Sequence, residues 1–201
     1  MRAMYRLAVL CVLPLLAAQA QAETWEVAKQ ENGIEVSLSK IPGSDYKAYR
    51  GVATINASLA KVRALQEDAS GACAWIHECK MQKLLKVDGA KSWTYTQFNT
   101  PWPVTPRDSV IEVTTEVGQD GAVTRILKGV PGYLPEEKGF VRVAAVEGYW
   151  KLAPKGPGAT LVTYQVHTEP GGSVPSVIAN KFVVDAPFNT LKNLKARAEQ
   201  P

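Results

Sequence analysis

His77 and His167 are the only histidines in this chain of 201 residues, so acid–base chemistry near neutral pH has few places to sit. His167 shares strand parity with Gln165 and Glu169, on the polar face of an alternating segment, which is the setting of a solvated side chain. His77 lies between Cys73 and Cys79. Together these offer imidazole and thiolate ligands, but the spacing matches no strong zinc pattern, and ligands crowded along a strand edge close poorly into a tetrahedron. There is no Gly-x-Ser-x-Gly elbow, no His-Glu-x-x-His helix and no phosphate-cradling glycine loop. The expectation is a chain with no catalytic residue, no metal and no cofactor.

Charged residues set within apolar strands say more. Arg107 opens the run Arg107–Val117 and shares parity with Ser109, Ile111, Val113 and Val117, whereas Asp108 shares parity with Glu112 and Glu116. On a regular strand this turns Arg107 to the apolar face and Asp108 to solvent. A guanidinium facing a desolvated interior must be paired. Either it forks onto a phosphate or carboxylate headgroup, or it pairs with a buried acid such as Glu147 or Glu169. Arg142 poses the same choice, with Phe140, Val146 and Trp150 on its parity. Trp102 stands between two prolines, on extended backbone that lacks two amide donors; it either walls a cavity mouth or packs within a loop. Tyr95, Trp93 and Tyr164 are strand aromatics that either fill a core or touch a ligand.

The chain begins with a basic pair, Arg2 and Arg6, an apolar run from Leu7 to Ala18, and two small-x-small sites, Ala18-Gln19-Ala20 and Ala20-Gln21-Ala22. This is the pattern of a secretory signal peptide over residues 1–22. The run is short for a bilayer span, and Leu10 before Cys11 argues against a lipoprotein cleavage site. Its removal takes away two arginines and no acid, so 23 basic and 19 acidic residues become 21 and 19 and the net charge falls from +4 to +2. With no basic stripe interleaved with aromatics, nucleic acid has no footing. Export places the remaining Cys73 and Cys79 in an oxidising, periplasmic setting where a disulfide is expected; two free buried thiols or half of a metal site are the rival readings.

Residues 23–201 read as one domain. Ile34, Val36 and Leu38 alternate with polar residues, Pro42–Asp45 turns, and Tyr46–Ile55 returns as a hairpin. Ser58 caps a short helix to about Ala69, a role preferred to the glycosylation sequon that Asn56-Ala57-Ser58 also spells. From Cys79 the pattern is β-like, with returns at Asp88-Gly89, Gln119–Gly121 and Pro154–Gly158 and strands at Arg107–Val117, Val123–Val130, Phe140–Leu152 and Thr160–Glu169. The end differs. Ser173 can cap a helix with Pro175 in its first turn, and Val174, Val177, Ile178, Phe182, Asp185, Phe188, Leu191 and Leu194 recur at helical spacing, with a kink expected at Pro187. Antiparallel strands followed by one long amphipathic helix define an α+β architecture in which a curved sheet grips that helix.

Several stretches together resemble the START lipid-transfer domain family: Thr100-Pro101-Trp102-Pro103-Val104-Thr105-Pro106-Arg107-Asp108, Val141-Arg142 with Gly148-Tyr149-Trp150-Lys151-Leu152, Tyr164 with Glu169-Pro170-Gly171-Gly172-Ser173-Val174-Pro175, Asn180, and Ala186-Pro187 with Leu191. Trp25 and Trp75 also match, and the resemblance runs through residues 24–197. It implies a helix-grip fold with an internal cavity for one phospholipid, fatty acid or sterol-like molecule, bound without chemistry; a monomer that touches membranes transiently is the default expectation beside it. The ligand-binding set expected is Arg107, Trp102, Tyr95, Arg142, Tyr164, Val177, Phe182 and Phe188. Val177, Phe182 and Phe188 would roof the cavity. Two other outcomes are kept: a helix-grip enzyme of the polyketide cyclase or aromatase type, and an envelope interaction module whose cavity is filled.

Overall fold

The computed structural model describes residues 23–100 and 104–201. The signal peptide expected over residues 1–22 and the expected cavity residue Trp102 lie outside the described residues. Within them the chain forms β1 (Glu26–Glu31), β2 (Ile34–Ser39), β3 (Ala48–Ile55), α1 (Leu59–Glu67), β4 (Cys79–Asp88), β5 (Lys91–Phe98), β6 (Arg107–Val117), β7 (Val123–Gly129), β8 (Val141–Arg142), β9 (Ala145–Pro154), β10 (Thr160–Glu169) and α2 (Ser176–Ala198). The sheet runs β1-β2-β3-β10-β9-β7-β6-β5-β4, antiparallel throughout, with β8 added in parallel beside β6. This is the large antiparallel sheet gripping a C-terminal helix that the sequence led us to expect.

Local chemistry explains most of the elements. The Ser58 hydroxyl accepts from the Lys61 N–H and caps α1. Asn32 and Gly33 both take positive φ, 53° and 72°, which closes the two-residue turn between β1 and β2. β1 itself was not foreseen, because Glu26–Glu31 is a polar, mostly exposed edge strand with no alternating apolar signal. The segment expected as one strand from Phe140 to Leu152 is two. β8 pairs with β6, then Val143 donates to Asp108 O and Ala144 to Glu169 O as the chain crosses to enter β9.

α2 begins at Ser176 with Pro175, not Ser173, as its cap, and there is no side-chain cap hydrogen bond among the described residues. Its start is held from the β2–β3 connection instead. The Tyr46 hydroxyl donates to Val174 O at 3.1 Å, and Asn180 Oδ1 accepts from Lys47 N–H at 3.0 Å. The helix passes through the buried Pro187 and continues to Ala198. Gly51 on β3 makes that approach feasible, since a Cβ there would stand 2.6 Å from Leu191 Cδ1 and 3.6 Å from Pro187 Cβ.

The core lies under the C-terminal half of α2. Leu191, Leu194 and Ala198 pack with Val62 of α1 and with Ile34, Val36, Ala53, Ile55, Leu152 and Val162 of the sheet. The N-terminal half of α2 spans the curl of the sheet without closing on β5 and β6, and the space between is the cavity described next.

Candidate ligand cavity

Between α2 and the inner sheet face lies a cavity of about 290 Å³. Ala179, Phe182, Val183, Ala186 and Thr190 line it from the helix, at the spacing of one helical face. Ile111, Leu127, Val146 and Val166 line it from the sheet, together with Tyr49 and Tyr164. Tyr164 stacks on the buried Trp150 with ring centres 3.7 Å apart, and Tyr49 meets Tyr164 edge-on at 5.2 Å. Burial pushes both phenols above their ordinary pKa, Tyr49 well above, so the aromatic wall stays neutral.

Alternation along β6 sets two chemistries one residue apart. Arg107, Ser109 and Ile111 face the cavity. Arg107 is 6% exposed and, among the described residues, is held only by Thr105 O and, at 3.3 Å, by Gly171 O. Its Nε and the Ser109 Oγ are buried with no partner among the described residues. Neither Glu147 nor Glu169 pairs with it. Glu169 instead accepts from the Ser44 hydroxyl and lies 3.4 Å from His167, which is half-buried rather than solvated. Burial lowers the Arg107 pKa from its ordinary value, yet a guanidinium remains charged.

Asp108 points to the other sheet face, as its parity requires, but not to solvent: it is fully buried. The excursion from Val130 to Arg142 crosses that face. Arg142 forks onto Asp108 through Nε at 2.8 Å and Nη2 at 3.0 Å, and also donates to the carbonyls of Pro131, Leu134 and Pro135. The Tyr95 hydroxyl donates to Asp108 Oδ2 at 2.9 Å. The Asp108 hydrogen bond is the main reason the Arg142 pKa is raised. Arg142 and Tyr95 therefore belong to a buried polar cluster that fastens the excursion and are not among the residues lining the cavity, contrary to expectation.

Of the other expected contacts, Tyr164 and Phe182 line the cavity. Val177 is 82% exposed on the outer side of α2, and Phe188 is buried in the core, with Lys29 Nζ 3.7 Å above its ring. The helical stripe drawn through both was wider than the face that meets the cavity. Ser109, Tyr49 and Thr190 were missed, although Ser109 shares Arg107's parity and could have been found by it.

Cys73 and Cys79 are joined. Their bridge ties the helical turn Ala72–Ala74 to the start of β4, and it brackets a piece of cavity wall: Ile76, His77 and Glu78. The His77 N–H donates to Thr190 Oγ1 at 3.1 Å, and His77 Nε2 lies 3.7 Å from Glu78 Oε1. No cluster of three or more metal-ligating side chains occurs among the described residues.

A helix-gripping sheet around an apolar cavity with a few convergent polar groups defines a ligand-binding domain. The START domain family profile matches residues 7–201, and the chain belongs to that family. An uncharacterized protein of Pseudomonas aeruginosa is 57% identical over 201 residues, covering 100% of both chains. The crystal structure of a STAR-related lipid transfer protein from Xanthomonas axonopodis (fragment 25–204) is 38% identical, with a TM-score of 0.83 over 88% of this chain and 99% of that one. An aromatase/cyclase from Streptomyces shares the fold at 11% identity and a TM-score of 0.52, covering 76% of this chain and 93% of that one.

Proposed function

We propose that this chain is an exported, periplasmic carrier that holds one lipid or similar apolar molecule between α2 and the sheet and passes it on through transient membrane contact. The observation that carries the reading is the cavity itself, where apolar side chains converge on open space that this fold could have filled with larger ones. Burying ligand carbon there gains about 25 cal/mol per Å². Export rests on the residue pattern of 1–22.

One observation favours a second reading, an enzyme of the cyclase type: the adjacent His77 and Glu78 line the cavity and offer an acid–base pair to whatever enters. Binding ranks ahead of catalysis because the remaining wall is largely apolar. Native mass spectrometry of the protein purified from a bacterial periplasm, with lipid extraction, tests both. A stoichiometric intact lipid supports the carrier. An empty protein that takes no lipid from vesicles refutes it and leaves the enzyme.

A further inference from the structure

We propose, resting on the carrier reading, that the bound molecule is a single-chain amphiphile with an anionic end, and that Arg107 and Ser109 receive that end. Both residues line the cavity and are 6% and 3% exposed. Arg107 Nε and Ser109 Oγ have no hydrogen-bond partner among the described residues. A buried donor left unmet costs about 1–3 kcal/mol, so two on one wall mark a place that something else fills. Nε can only donate, so the missing group is an acceptor.

Charge decides what kind of acceptor. Arg142, one strand away, meets its charge with the Asp108 carboxylate. Among the described residues Arg107 meets only two backbone carbonyls. Among the described residues that line the cavity, Glu78 is the one acid, and its side chain is 42% exposed and sits beside His77. Tyr49 and Tyr164 are held neutral by burial. The inner wall thus carries one positive charge and no buried negative one, and a bound anion compensates it where a hydroxyl or a water does not. Arg107 and Ser109 are two residues apart on one strand, about 7 Å. Being neighbours on one face of the strand, the two side chains are close enough for a single carboxylate or phosphate group to accept from both. A volume of about 290 Å³ stands at the low end for small-molecule pockets, which fits one chain better than two.

The test is calorimetric titration of the delipidated protein with lauric acid, lauryl alcohol and lauryl phosphate, for the wild type, Arg107→Met and Ser109→Ala. The wild type is expected to bind the acid about ten- to a hundredfold more tightly than the alcohol. Arg107→Met should erase that ratio while leaving the alcohol's affinity in place, and Ser109→Ala should narrow it several-fold. Tighter binding of the phosphate than of the acid assigns the headgroup to phosphate monoesters; the reverse assigns it to carboxylates. Equal wild-type affinity for acid and alcohol overturns the proposal while the carrier reading stands, because the alcohol still binds. If none of the probes binds to protein with a native circular dichroism spectrum, both fall. Should Arg107→Met not fold, Ser109→Ala decides: an unchanged ratio overturns the proposal.

Discussion

Replacing Arg142 by methionine keeps much of the side chain's length and removes its charge and five hydrogen bonds, two to Asp108 and three to the carbonyls of Pro131, Leu134 and Pro135. Asp108, fully buried, is then left with the Tyr95 hydroxyl as its remaining side-chain donor among the described residues. Stripping one partner from a buried ion pair costs about 3–5 kcal/mol. The orphaned carbonyls belong to a thin excursion whose outer side is exposed, so water reaches them and they add little. A loss of about 4 kcal/mol lowers the melting midpoint of a domain this size by about 8–16 °C. Asp108→Asn should cost about 3 kcal/mol, since the amide still accepts from Tyr95 but leaves a buried guanidinium uncompensated. Asp108→Asn combined with Arg142→Met should cost less than the two single changes summed, because no lone charge remains. Differential scanning calorimetry of the four proteins is the assay. An Arg142→Met protein within about 1 kcal/mol of the wild type, or strictly additive losses, would refute the view that this pair fastens the excursion to the sheet.

Ala186→Phe, which places a ring inside the cavity, should abolish uptake of a fluorescent fatty acid without lowering the melting midpoint; undiminished uptake would move the ligand elsewhere. Reducing the Cys73–Cys79 bridge, which closes a loop of sequence separation 6, should cost about 2 kcal/mol and lower the midpoint by about 4–8 °C, with faster hydrogen exchange over Trp75–Glu78. A midpoint indifferent to reductant would contradict this. Alkali should destabilise the protein through Tyr49 and Tyr164. Their folded pKa values are raised, so the unfolded chain releases protons first, and stability present below about pH 10 is lost as the pH climbs past it. Tyr49→Phe should lessen that slope in urea titrations, and an identical slope would count against it.

The sequence disclosed what depends on local spacing. Parity along β6 placed Arg107 on the inner face, and the helical period found α2. What it could not disclose depends on distant cover. Asp108 does face away from the cavity, but nothing near it in sequence says that residues 130–142 fold across that face. Arg142 was read from its apolar neighbours as a cavity residue, when its partner lay on another strand. Val177 and Phe188 fit the helical period, yet which side of a helix meets a cavity and which meets core or solvent is set by the sheet beneath. β1 gave no signal because an edge strand can be held by its turn and its ladder alone.

β6 divides its labour by alternate residues, and that division has a consequence for change. Asp108 is committed: it cannot be exchanged without its partner on β8, and the pair fixes a long connection. Arg107, Ser109 and Ile111, interleaved on the same strand, answer mainly to whatever the cavity holds. Descendants of one ancestor can therefore trade ligands by varying every second position of a single strand, while the intervening positions keep the same scaffold in place.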